Sequence, residues 1–313
     1  MPSSAVFRTV WVASLASLTF VGAAYSQPIK PSVVITSASG NVVEVIGLRR
    51  WTVQMIQDSL DRYSPGDSIT KHNCAVVMRY KLGFADASAI TLSGYNTGTR
   101  MVLVVREPQD SGLVQYRDLP LDSTPVHPRW GTAVQQLRRV PMTLNWIARR
   151  WQGDSLSYVD AAERRQTDSI IQALRPFVTE GDRVEALRVL QTDRNMASRA
   201  VAALLLIPHL QRDDSWLALL ETARESDGWA KGAAFSVLRS QESRASPVNW
   251  TPVAPTLRML LNGSANAFEY AAILNRTGVQ PSDAPMLLAG GGEMLIAFAT
   301  SQTPMLAQES RRL

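Results

Sequence analysis

One cysteine, Cys74, stands in the 313 residues. A disulfide within the chain is therefore excluded, and in an oxidising compartment the fold must be held by packing alone. The three histidines, His72, His127 and His209, are scattered, with no second cysteine or carboxylate at metal-ligand spacing, so neither a metal site nor another cofactor is expected. His72, Asn73 and Cys74 invite a thiol-protease reading. Side chains one and two positions apart on a helix point in different directions, however, and cannot form a nucleophile–base pair, so Cys74 reads as a small core residue. The run GGGE at 290–293 precedes an apolar helix but lacks the Lys and Ser/Thr of a phosphate-binding loop, and reads as a helix start. Charge of one sign is also scarce. The 32 Lys and Arg are set against 27 Asp and Glu and interleaved with them, which leaves +5 in total and no basic tract of the kind nucleic acid requires. Past the first two dozen residues, no segment approaches the about 18 uncharged apolar residues of a membrane-spanning helix.

What is present begins with the amino terminus, MPSSAVFRTVWVASLASLTFVGAAYSQ. It has one early cation, Arg8, an apolar run from Val10 to Ala24, and small residues at Ala24 and Ser26 before Gln27. This is the pattern of a secretory signal peptide over residues 1–26, cleaved near Ser26/Gln27. The run is short for a membrane span, and no cysteine follows it to carry a lipid. A periplasmic or secreted protein is expected. The length exceeds one typical domain, and 45% hydrophobic residues suffice for two cores.

The mature chain divides by composition into four stretches. Residues 27–40, QPIKPSVVITSASG, form a leader with room for a short strand. Residues 41–108 mix helix and strand signals. Residues 109–130, with three prolines among polar side chains, read as a linker. Residues 131–313 show helices separated by short polar breaks.

Within 41–108, NVVEVIGL is β-branched and ends at Gly47, a strand closed by a turn. In RRWTVQMIQDSLDRY, Val53, Ile56, Leu60 and Tyr63 recur at helical spacing, and SPGD stops the helix. SITKHNCAVVMRYKLG gives a second helix, capped by Ser68 or Thr70 and closed at Gly83. DASAITL and RMVLVVRE are strands joined by SGYNTG, whose Gly94, Asn96 and Gly98 suit a hairpin turn. The order is strand, helix, helix, strand, strand.

That order, with a first strand ending in VIG, a second helix ending in LGF, DA before the hairpin and a closing VVRE, resembles the POTRA (polypeptide-transport-associated) domain. The resemblance implies periplasmic placement in a two-membrane bacterium and partner binding by strand addition. The chain departs from that pattern in showing one such unit and no β-barrel segment after it, so it is not expected to be a transporter itself. A three-stranded sheet covered on one face by two helices leaves an edge that an extended segment can complete. The expected edge is DASAITL, with Ser88, Ala89, Ile90, Thr91 and Leu92 as the binding residues. The alternative is that the leader PSVVIT covers this edge.

Within 131–313, DRVEALRVLQTDRNMASRAVAALLLI from Asp182 aligns with DSWLALLETARESDGWAKGAAFSVLR from Asp214. The alignment pairs Ala186 with Ala218, Leu187 with Leu219, Arg199 with Lys231, Ala202 with Ala234 and Leu206 with Leu238, a constant offset of 32 residues. A third, degenerate unit, TPVAPTLRMLLNGSANAFEYAAILNR, keeps the two-helix plan. Stacked helix pairs of this kind bury faces that no pair could bury alone. The GWAKGAAFSVL helix, with its small residues, resembles those of HEAT-like solenoids. The alternative is a helical bundle without repeats.

The segment LRRVPMTLNWIARRWQ places Arg138, Arg139, Arg149 and Arg150 around Trp146 and Trp151. Such a composition suits a membrane surface or an acidic partner, and equally a first solenoid helix whose arginines face water. The expected molecule is an α+β domain followed by an all-α, HEAT-like solenoid, acting as an exported scaffold that binds envelope proteins through the sheet edge, the repeat groove or both, and not nucleic acid. The competing class is a secreted enzyme with dispersed polar residues in the repeat groove.

Overall fold

The computed structural model describes residues 27–37, 40–92, 100–120, 128–225, 228–240, 250–263, 265–277, 279, 282–289 and 292–312. The expected signal peptide, the hairpin turn at 93–98, His127, Gly290 and Gly291 lie outside the described residues. The architecture is α+β. Strands β1 (Val33–Thr36) and β2 (Val42–Ile46) precede helices α1 (Val53–Tyr63) and α2 (Cys74–Tyr80), which are followed by β3 (Asp86–Leu92) and β4 (Arg100–Arg106). Then come α3 (Gly131–Arg139), α4 (Leu144–Trp151), α5 (Ala161–Leu174), α6 (Glu180–Thr192) and α7 (Met196–Leu205). After them stand α8 (Asp213–Ala223), α9 (Trp229–Ser240), α10 (Ala254–Gly263) and α11 (Ala267–Thr277). The chain closes with α12 (Ala284–Leu288), α13 (Glu293–Ala299) and α14 (Pro304–Arg311).

Local chemistry sets several boundaries. Thr52 caps α1 by accepting the Met55 amide at 3.1 Å, and Thr179 and Asp182 form a reciprocal capping box at the start of α6. Helix α2 begins at Cys74, later than the sequence suggests. Ser68 and Thr70 bond each other through their hydroxyls at 2.7 Å instead of capping it. Gly83 closes that helix at φ +74°, as expected. Gly47 sits at φ +101°, and a Cβ there would stand 2.1 Å from the Val105 carbonyl oxygen, so only glycine lets β2 turn against β4.

The sheet is four-stranded and mixed, in the order β1-β2-β4-β3. The leader supplies the fourth strand: Val33–Thr36 pairs antiparallel with β2. It lies at the far side of the sheet from β3, so the sheet expected to have three strands gains one without covering the DASAITL edge. β2 runs parallel to β4, and β3 antiparallel to β4 with Asp86 opposite Arg106 and Leu92 opposite Arg100.

Strand alternation sends two sets of side chains to two separate cores. Val43, Val45, Met101, Leu103 and Val105 pack under α1 and α2 with Ile56, Leu60 and Met78. Ile46, Val102 and Val104 face the other way and meet Phe268, Met294, Phe298 and Leu306 from the last helices. Both faces of the sheet are thus covered, where the sequence suggests cover on one. Buried polar ties reinforce this contact. Glu44 accepts hydrogen bonds from the Ser301 hydroxyl (2.9 Å), the Gln302 amide (2.7 Å) and the Thr303 hydroxyl (2.6 Å). Arg106 donates to the Asn262 carbonyl, and Arg49 joins Asp110 at 3.1 Å and Glu293. Residues 109–120 of the stretch read as a linker run against this body: Asp110 is buried, and the Arg117 amide donates to the Arg224 carbonyl at 3.0 Å.

Helices α3 to α11, with parts of α12 and α13, share the largest core, which includes Trp130 and Trp216. The repeat offset differs from the sequence alignment by one residue. α6 starts at 180 and α8 at 213, α7 at 196 and α9 at 229, so both offsets are 33. Burial agrees: Ala186, Val189 and Leu190 are matched by Leu219, Thr222 and Ala223. The third pair breaks the period, with α10 starting 41 residues after α8 and α11 starting 38 after α9.

Candidate functional site

Among the described residues β3 ends the sheet, and its residues explain why its outer side stays accessible. β4 is buried from Met101 to Arg106. On β3, by contrast, Ser88, Ala89, Ile90 and Leu92 are half-buried and Thr91 is exposed. Ala87 and Ala89 turn towards α1 and α2, Ile90 and Leu92 towards the last helices. The small side chains of Ala87, Ser88 and Ala89 leave the strand's backbone unshielded on its free side.

A cavity of about 300 Å³ opens along that side, over Asp86, Ala87, Ser88 and Ala89. One wall is α2, from which Val76 (49% exposed) and Tyr80 (63% exposed) present apolar surface. The opposite wall is the start of α9, with Gly228, Gly232 and Phe235. Their spacing of three to four residues puts all three on one side of that helix.

Asp86 also lines the cavity. Its carboxylate is 1% exposed and accepts the Tyr116 hydroxyl, the Ala265 amide (2.7 Å) and the Ala87 amide (2.9 Å). Arg79 Nε stands 3.8 Å from the same carboxylate, and its guanidinium lies 5.2 Å from the rings of both Tyr80 and Tyr116. Lys231, from the opposite wall, places Nζ 5.9 Å from the Tyr116 ring. Burial, followed by the negative charge of Asp86, pushes the Tyr116 hydroxyl well above the usual tyrosine range, so it stays a donor.

Other expected positions fall elsewhere. Arg138 and Arg139 are exposed at the end of α3. Trp146 donates to Glu163 at 2.7 Å and meets Tyr158 edge-on at 5.9 Å. Arg149 pairs with Asp154 at 2.6 Å and Arg150 with Asp168 at 2.7 Å. The aromatic and two of the four arginines are therefore engaged within the chain. In the repeat region a second cavity, about 330 Å³, lies between α6 and α8 beside Leu187, Leu190 and Leu217. The acids at its rim are likewise engaged, Asp214 with Arg183 at 2.6 Å and Glu221 with Arg224 at 2.7 Å. Cys74 is fully buried, and burial pushes its thiol up to about 12, which disfavours the thiolate that nucleophilic or ligand chemistry needs. Among the described residues, no group of three or more His, Cys, Asp and Glu is placed to hold a metal ion, and no helix is long and apolar enough to cross a membrane.

The β3 residues were legible in the sequence as a strand edge. Arg79, Tyr80, Tyr116, Lys231 and Gly232 were missed as its surroundings. Tyr116 sits in a proline-rich stretch that carries no pairing signal, and Gly232 lies 140 or more residues from the strand it faces. Compared with known proteins, the chain matches no protein-family model, no curated protein and no solved structure.

Proposed function

We propose that the protein is an exported scaffold of the cell envelope, without catalytic activity, that captures an extended segment of an envelope partner by adding it as a strand to β3. The observation that carries the reading is the cavity of about 300 Å³ along the free side of the terminal strand. An unpaired strand edge offers a row of backbone donors and acceptors, and a partner strand satisfies them while alternate side chains select its sequence. Asp86 lies at this outer edge and takes the Ala87 amide. Strand alternation then directs the amides of Ala89 and Thr91 to the same edge. Export rests on the amino-terminal sequence, and periplasmic placement on the POTRA-like order of elements. In the same proposal α6–α9 form two stacked HEAT-like units, supported by their common 33-residue offset, and brace the wall of the cleft through α9.

Hydrogen exchange tests the reading. With the captured partner bound, the amides of Ala89 and Thr91 should exchange more slowly, while those of β1 stay unchanged. Protection confined to β1 or to the α6–α8 cavity would move the binding site away from β3. Exported protein that begins at Gln27 would support the compartment, and cytoplasmic protein that begins at Met1 would refute it.

A further inference from the structure

We infer that the segment captured along β3 carries a bulky apolar side chain level with Ala89, seated against Val76 and Tyr80 of α2. The inference rests on the strand-addition reading and adds to it the residue that the cleft selects.

An added strand lies beside β3 with its side chains alternating between the two faces of the sheet. A residue level with Ala89 projects to the same face as Ala89, and that face is the one covered by α1 and α2. α2 borders the cavity with Val76 and Tyr80, which stand one helical turn apart and so on one side of the helix. Val76 is 49% and Tyr80 63% exposed, so the helix presents apolar surface to whatever takes the added-strand position. At the floor, Ala87 and Ala89 end at Cβ, which leaves depth for a larger side chain from the partner. Arg79, next to Tyr80 in sequence, stands 3.8 Å from the Asp86 carboxylate. This wall of the cleft is therefore met through Val76 and Tyr80.

The main chain of β3 decides between a peptide and a small apolar molecule. The Ala87 amide is served by Asp86 at 2.9 Å. An acyl chain or a free hydrophobic ligand over this edge would shut the outward amide of Ala89 off from water and give it no partner. A peptide strand pairs that amide and lays its side chain on α2 at the same time. A large aliphatic or aromatic side chain there removes the exposed surface of Val76 and Tyr80 from water, which is the gain that selects it.

The test presents the intact protein with a library of random peptides held between two carrier domains. Enriched sequences should share one large aliphatic or aromatic residue at a fixed position, and its change to Ala in a synthetic winner should weaken binding by about tenfold or more. Val76→Ser combined with Tyr80→Ser should remove that difference and leave the circular dichroism spectrum unchanged, since both side chains are about half exposed or more. Val76→Phe fills the space from the helix side and should shift the selected residue to Ala or Ser. A winner whose alanine form binds equally well, but which Thr91→Pro still releases, would overturn the apolar seat and leave strand addition standing. An apolar preference untouched by the Val76 and Tyr80 changes would do the same. Binding indifferent to Thr91→Pro, or no enrichment at all, would overturn both. Should Thr91→Pro fail to fold, exchange of the Ala89 amide in the complex decides the same point: strand addition slows it, and an unchanged rate overturns both claims.

Discussion

Glu44 on β2 accepts the hydroxyl of Thr303 at 2.6 Å, across 259 residues of sequence. Burial alone would raise this carboxyl, but the hydrogen bonds from Thr303, Gln302, Ser32 and Ser301 outweigh it and hold the group below its ordinary value of 4.5. Glu107 is held down in the same sense, with burial opposed by the amides of Arg49, Arg50 and Trp51 and by the Gln109 side chain. A group whose folded-state pKa is lowered stabilises the fold above its unfolded value and loses that contribution as pH falls through the folded one. The urea midpoint should therefore be level from neutral pH to about 5 and drop below it. Glu44→Gln should lower the midpoint at neutral pH and flatten part of the acid limb. An acid limb unchanged in this variant would show that Glu44 does not couple the two regions.

Gly47→Ala tests the turn after β2. The positive φ is strained for alanine, and the new Cβ would overlap the Val105 carbonyl. A loss on the order of 3 kcal/mol or more is expected from chemical denaturation. Gly40→Ala, also at positive φ but with nothing within 4 Å, should lose less.

The helical core should answer unevenly to truncation. Leu219 and Leu238 are fully buried, and each change to Ala should lose about 2–5 kcal/mol. Leu187, which the 32-residue alignment makes the equivalent of Leu219, instead borders the second cavity half-buried and should lose about 1–2 kcal/mol. Equal losses at Leu187 and Leu219 would restore the 32-residue offset.

On β3, Thr91→Pro should abolish partner capture without lowering the melting temperature appreciably, because Thr91 is exposed and its amide belongs to the outer edge. Ser88→Ala keeps every backbone donor and should change capture little. A Thr91→Pro protein that folds and keeps its partners would locate binding elsewhere.

The elements of the sheet could be read in advance because each carries its own periodicity: the helical spacing of Val53, Ile56 and Leu60, the β-branched run of β2, the left-handed Gly83. Their assembly could not. Nothing in NVVEVIGL distinguishes Val43 and Val45, which meet α1 and α2, from Ile46, whose partners Phe298 and Leu306 lie some 250 residues on. The leader's VVIT was visible as a strand, but either edge of the sheet would accept it, and the choice of β2 depends on packing. The repeat offset was misread by one because an alanine–leucine step in α6 aligns with the same step in α8, whereas burial matches Ala186 to Leu219. At the cleft, the strand was legible and its walls were not, since Tyr116 and Lys231 reach it only through tertiary contact.

The cover on the second face of the sheet has a consequence for how the chain is made. Ile46, Val102 and Val104 emerge well before Phe268, Met294, Phe298 and Leu306, of which the first follows Val104 by 164 residues. Contacts so distant in sequence form slowly, because the intervening chain must be gathered before they can close. Until then the first hundred residues hold a half-covered sheet with bare apolar side chains. Residues 27–108 produced alone should therefore aggregate or bind a hydrophobic dye, although their strand and helix pattern reads as a complete unit.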